Sequence, residues 1–75
     1  MTLRLGIVGA GVMGAKVASV AERIDGVSVA TIADPNLARA ERLAADHGAR
    51  ACSSLTELVA LGDVDAVYVA VPHGL

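Results

Sequence analysis

Gly9-Ala10-Gly11-Val12-Met13-Gly14 has the spacing GxGxxG and directly follows a short apolar run, Leu3–Val8. Glycines at this spacing offer backbone chemistry. Gly9 allows a tight turn, Gly11 lacks the Cβ that would hold a phosphate away from the main chain, and Gly14 lets a following helix pack closely on a sheet. The start of that helix leaves backbone N–H groups, those of Val12 and Met13, without partners and carries the positive end of the helix dipole. The chemistry on offer is the binding of a diphosphate. Asp34 stands twenty positions beyond Gly14. A carboxylate placed there, at the end of a second strand, accepts hydrogen bonds from adenosine ribose hydroxyls and repels a 2′-phosphate, which favours NAD over NADP. Two plainer readings stand beside these. The glycines could form only a turn, and Asp34 could cap a helix beginning at Pro35. Capping and ribose binding are compatible.

For loop and carboxylate to meet, the surrounding chain must alternate strands and helices. Leu3–Val8 (LRLGIV) reads as a buried strand bounded by glycine. From Met13 the period becomes helical, with Met13, Val17, Val20, Ala21 and Ile24 on one face and Lys16, Ser19, Glu22 and Arg23 on the other, until Asp25-Gly26. Val27–Ala33 (VSVATIA) is a second β-rich run. Asp34-Pro35 then opens a helix with the stripe Leu37, Ala40, Leu43 and Ala44, closed at His47-Gly48. Arg50–Cys52 is a short strand, and Ser54-Leu55-Thr56-Glu57 matches a capping box that starts a helix over Leu55–Leu61, stopped at Gly62. Residues 66–71 (AVYVAV), closed by Pro72, are apolar throughout and predict a strand inside a sheet covered on both faces. The fold class is therefore α/β, a partial Rossmann arrangement β-α-β-α-β-α-β with a mostly parallel sheet and right-handed crossovers.

Composition narrows the function classes. A chain of 75 residues that is 55% hydrophobic is at most one small domain and too apolar for disorder. A chain this short buries only about 60% of its surface, so such apolar content implies a partner or membership of something larger. A net charge of −2, a single lysine (Lys16) and a single aromatic residue (Tyr68) argue against nucleic acid. The lone Cys52 excludes an internal disulfide and a cysteine-rich zinc site, as expected in the reducing cytoplasm. No apolar run reaches the roughly 18 residues that a membrane span needs. Residues 1–18 superficially resemble a signal peptide, but their glycines and the ordered pattern that follows argue against removal.

Other chemistry-bearing residues carry less. His73, just after Pro72, lies at the carboxyl end of the expected sheet, where ligands collect; it either lines the nicotinamide side of a pocket or is a solvated loop residue. His47 reads as a helix-end residue and Lys16 as solvated on a polar face. Cys52 reads as a small buried group, and Asp63 and Asp65 as loop charges with no third metal ligand in view.

RLGIVGAGVMG at the start, IADPNLARAERLAADHG in the middle and VDAVYVAVPHGL at the end together resemble the N-terminal part of the Gfo/Idh/MocA oxidoreductases, the glucose–fructose oxidoreductase and inositol dehydrogenase family. The resemblance covers essentially the whole chain. It implies an NAD(P)-binding Rossmann domain followed by a larger α/β substrate domain, and hydride transfer at a carbinol carbon of a sugar, cyclitol or polyol. It also implies that residues 9–14 hold the pyrophosphate, Asp34 the adenosine ribose, and Ala70, Val71, Pro72 and His73 the cofactor near the fourth strand.

The family's E-K-P motif and catalytic histidine have no match within the chain, so no catalytic residue is carried over. The expectation is an N-terminal portion of the cofactor domain, ended after its fourth strand, without the substrate domain. That strand would present an open apolar edge prone to association into an oligomer. The chain alone is expected to be marginally stable and inactive, with only weak hold on the adenosine half of a dinucleotide. Two other classes remain: a non-catalytic dinucleotide-binding or interaction module, and a Rossmann-like domain for FAD or S-adenosylmethionine.

Overall fold

The computed structural model describes residues 2–70. The strand–helix alternation is realised as β1 (Leu3–Val8), α1 (Val12–Glu22), β2 (Val27–Ala33), α2 (Leu37–His47), β3 (Arg50–Cys52), α3 (Leu55–Leu61) and β4 (Ala66–Val69). The strands form one four-stranded sheet in the order β3-β2-β1-β4. Every pairing is parallel, so the sheet is wholly rather than mostly parallel. β1 and β2 run in register from Leu3↔Val27 to Val8↔Ala33, with one shift between Leu5 and Gly6; on its other side β1 pairs Ile7 with Tyr68 of β4.

Side chains alternate across the sheet. On one face Ile7 and Ile32, both fully buried, pack with Ala18 and Ala21 of α1 and with Ala40, Leu43 and Ala44 of α2. On the other face Ala33 and Cys52 pack with the fully buried Leu58 of α3, with Val8 and Val64 beside them. The strands supply most of the bulk and the helices mainly alanine, so the helices lie close to the sheet. Burying Ile7, Ile32 and Leu58 stabilises the fold by about 1.5–3 kcal/mol for each side chain.

Helix boundaries follow local capping. The Ser54 hydroxyl accepts the Glu57 N–H at 3.1 Å, as the capping box requires. The Glu57 carboxylate reaches one residue further back than expected, to the Ser53 N–H at 2.7 Å. α2 departs from the sequence expectation. It starts at Leu37 rather than Pro35, and its cap is Asn36, whose side chain accepts the Arg39 N–H at 3.2 Å. Asp34 does not cap this helix. Its carboxylate instead closes a turn on the Asn36 N–H at 2.8 Å, which carries the chain around Pro35 before the helix can begin.

The second departure concerns β4. A strand apolar on both sides predicts burial on both faces, but β4 is the edge of the described sheet, and Val67, Tyr68 and Val69 are exposed. The expected apolar face of α1 divides for the same reason. Gly14, Ala18 and Ala21 are buried against the sheet, whereas Met13, Val20 and Ile24 remain exposed on the side towards β4.

Candidate functional site

The strand order creates a crevice before any side chain is considered. From β1 the chain passes outwards through β2 to β3, then returns to place β4 on the opposite side of β1. Loops leaving β1 and β4 diverge there, and in open α/β sheets such a switch point at the carboxyl ends of the strands is where ligands bind. A cleft of about 740 Å³ occupies this position, between the glycine loop, the end of β2 with Asp34 and Arg39, and the end of β4 at Tyr68 to Ala70. Main-chain bonds hold its rim: Gly9 N–H to the Ala33 carbonyl at 2.7 Å, Asp34 N–H to that of Cys52 at 3.1 Å, and Ala70 N–H to that of Val8 at 2.7 Å.

Each glycine of the loop has a separate steric reason. Gly9 has φ 106°, and a Cβ there would collide with the Ala70 carbonyl oxygen. A Cβ on Gly14 would collide with the Gly9 carbonyl oxygen, so the first turn of α1 rests directly on the loop backbone. Gly11 differs from both. Space around it is open, and the atom nearest a Cβ there would be Arg39 Nη1 at 3.9 Å. Gly11 is also the N-cap of α1 and supplies no side-chain acceptor. Val12, Met13 and Gly14, the first residues of the helix, therefore have N–H groups without intrahelical acceptors beside this open space. An oxyanion fits here without displacing a side chain of the loop.

Asp34 is buried, at 7% exposure. Its carboxylate is aimed at the loop, accepting the Ala10 N–H at 2.8 Å through Oδ2 and the Asn36 N–H at 2.8 Å through Oδ1. The tie to Ala10 was not legible in the sequence: the residue expected to read the ribose also pins the glycine loop. Two backbone donors leave part of the carboxylate's acceptor capacity free, since its two oxygens offer about four lone-pair sites. Ribose hydroxyls can use the remainder.

Gly9, Ala10, Gly11, Val12, Met13, Gly14, Asp34 and Ala70 thus meet around one cleft or its rim. Val71, Pro72 and His73 lie outside the described residues. The remaining candidates stand apart from the cleft. Lys16 is exposed on α1, and His47 Nδ1 lies 2.6 Å from Glu22 Oε1 at the far end of α2. Asp65 pairs with Arg4 at 3.1 Å and Asp63 with Arg50 at 3.0 Å, so both are engaged by arginine. Hydrogen bonds from the Arg4 side chain and N–H hold the Asp65 carboxyl below the usual aspartate range. Cys52 is buried, and burial pushes its thiol pKa up, away from nucleophilic use. Among the described residues no group of three or more potential metal ligands stands together, and no helix is long and apolar enough to cross a membrane. Arg39, Tyr68 and Val69 also line the cleft and were not among the sequence candidates; Arg39 is the charged one. Its one signal is a cation in the first turn of a helix, where the dipole disfavours positive charge.

Residues 3–75 match the oxidoreductase family with an NAD-binding Rossmann fold, Gfo/Idh/MocA. The chain belongs to this family. Gfo/Idh/MocA relatives in sequence include an inositol 2-dehydrogenase of Saccharopolyspora erythraea, 45% identical over an alignment of 74 residues, with 93% of this chain and 21% of the relative covered. In structure the chain is similar to a myo-inositol dehydrogenase of Corynebacterium glutamicum, with TM-score 0.89, 35% identity, and coverage of 96% of this chain and 22% of the other. It is also similar to the Lactobacillus casei myo-inositol dehydrogenase in complex with NAD(H) and myo-inositol, with TM-score 0.85, 27% identity and coverage of 93% and 22%. The chain spans about a fifth of the length of these Gfo/Idh/MocA proteins.

Proposed function

We propose that the chain is the adenosine-side portion of the NAD-binding domain of a dehydrogenase acting on a hydroxyl-bearing carbon of a sugar, cyclitol or polyol. The observation that carries this reading is the placement of the Asp34 carboxylate, buried and bonded to the Ala10 N–H, beside the open space at Gly11. The N–H groups of Val12 and Met13 would bind the pyrophosphate, and the helix dipole would favour its charge. Asp34 would accept the ribose hydroxyls, with NAD preferred over NADP. NAD, when bound, supplies the hydride acceptor. The apolar wall at Val69 and Ala70 would keep water from one side of it, and the family resemblance assigns Val71, Pro72 and His73 to the cofactor as well. Similarity to inositol dehydrogenases supports a cyclitol or polyol substrate in the longer protein, and the buried thiol of Cys52 is consistent with a cytoplasmic setting. Calorimetric titration with NAD, NADP, FAD and S-adenosylmethionine tests the reading. Tightest binding of NAD is expected; preference for either of the last two, or binding of none, would overturn it.

A second reading has its own observation. Among the described residues no lysine or histidine lines the cleft, and Tyr68 supplies its one phenol. A dinucleotide-binding module without chemistry would share this feature. Single-turnover reduction of NAD by myo-inositol in the longer protein separates the two readings.

A further inference from the structure

The two edges of the sheet are not equivalent. At one, β3 is three residues long and its Arg50 is held by Asp63 at 3.0 Å, so a short, charged edge offers little to another strand. At the other, β4 reads Ala66-Val67-Tyr68-Val69, with neither charge nor proline, and it pairs with β1 without a register shift. Among the described residues no strand lies on its far side. The direction of its polar groups follows from one bond. The Ala70 N–H donates to the Val8 carbonyl, and Val8 stands opposite Val69, so Tyr68 and Ala70 direct their main-chain groups to β1. Val67 and Val69 then direct theirs outwards, away from β1. Their side chains lie on the α3 face of the strand and that of Tyr68 on the α1 face, and all three are exposed. α1 packs over β1 and β2, one strand back, so what this edge offers is β4 itself. Outward N–H and C=O groups on either side of Tyr68 are matched by another strand.

We infer that this edge is an interface between two copies of the chain, which pair β4 with β4 antiparallel about a twofold axis at Tyr68. The edge is self-complementary in this register. Val67 faces Val69 of the second copy, and each such pair exchanges both of its N–H···O=C bonds. Tyr68 faces its own equivalent as a non-hydrogen-bonded pair, the closer kind, with the two rings on one face of the sheet and the valine pairs on the other. The nearest charge, Asp65, is paired with Arg4 of its own copy at 3.1 Å, so no unpaired like charges meet. The assembly closes, because each copy uses its one open edge and β3 is blunted; the product is a dimer with a continuous sheet and not a fibre. A four-residue edge is small beside the roughly 800 Å² per partner of a standard interface, so the dimer dissociates on dilution. The inference is independent of what the cleft binds.

The test is sedimentation of the chain across the micromolar to millimolar range. Wild type should pass from monomer to dimer and stop there. Val67→Pro deletes an outward N–H in each copy and, because that group does not bond to β1, removes no bond within the chain. It should raise the dimer dissociation constant at least about tenfold with circular dichroism unchanged. Tyr68→Cys reads the register. The Cα atoms of this pair would lie about 4.5 Å apart, within disulfide reach, so mild oxidation should link two copies through residue 68. Val20→Lys, on the α1 side of the groove, should leave the dimer in place. If the proline variant loses its circular dichroism, the link at residue 68 and Val20→Lys decide. A proline variant that dimerises like wild type, no link through residue 68, loss of the dimer in Val20→Lys, or growth beyond a dimer would each overturn the inference. Wild type that stays monomeric throughout would overturn it too, and would leave the edge to a strand of other origin, such as one from the remainder of a longer protein.

Discussion

The two flanks of β1 are built from similar residues and end in different states. Towards β2 the interior is filled: Ile7, Ile32, Ala40, Leu43 and Ala44 are buried, and the Asp34 carboxylate closes the end of the strand with two hydrogen bonds. Towards β4 the apolar surface stays open. Met13, Val20, Ile24 and Tyr68 border a groove of about 400 Å³, and Val67 and Val69 are exposed on the strand itself. Apolar character is as high on the open flank as on the filled one. Burial follows position in the sheet, and only an element packed over a side chain removes it from water. The cleft lies where the flanks meet, so its β2 wall is packed on both faces, whereas its β4 wall carries exposed side chains on both.

The largest contrast should come from truncating one residue on each flank. Ile32→Ala removes a fully buried side chain and should cost about 2–5 kcal/mol in urea denaturation. Val20→Ala, on the open flank, should change stability by no more than about 0.5 kcal/mol. Similar costs for the two would mean that the β4 flank is covered in solution. A smaller effect is expected at the junction. Asp34→Asn keeps one oxygen but replaces the other with a donor facing a backbone N–H. Leaving that donor unsatisfied should cost about 1–3 kcal/mol and loosen the glycine loop, read as faster amide exchange at Ala10. Unchanged exchange at Ala10 would separate Asp34 from the loop.

The smallest effect belongs to the start of β4. The Asp65 carboxyl is held below the usual aspartate range by hydrogen bonds from Arg4, so its folded pKa lies below its unfolded one. Its contribution to stability is present above the unfolded value and is lost as the pH falls through the folded one. Asp65→Asn should therefore lower the melting temperature slightly at neutral pH, with the difference vanishing in acid. The pair is solvent-exposed and screened, so the shift is small and should shrink further in high salt. A difference that persisted in acid would assign the effect to packing.

Much of the site could be read from residue order because its chemistry is local. Gly14 meets Gly9 within the same short segment, and Asp34 follows a strand whose β-branched residues announce it; at Gly9 the positive φ belongs to the turn, whereas the carbonyl that excludes a Cβ comes from Ala70, beyond β4. The start of α2 was missed because Asn36 and Asp34 are both cap-forming residue types two positions apart. Which one caps depends on Ala10, a residue distant in sequence that claims the Asp34 carboxylate. Arg39 was passed over because a helical arginine usually faces solvent; it is exposed here too, and its place beside Gly11 depends on how α1 and α2 lie side by side.

Residue order alone settles the alternation of elements, the glycine-rich turn and the acid that follows it, because periodicity, capping and turn chemistry act over a few neighbouring positions. Placing β4 beside β1, opening a cleft at that reversal, and bringing Asp34, Ala10 and Arg39 to its wall required the packed sheet. Contacts between residues far apart in the chain depend on strand order and on which surfaces cover one another, and no local pattern encodes either.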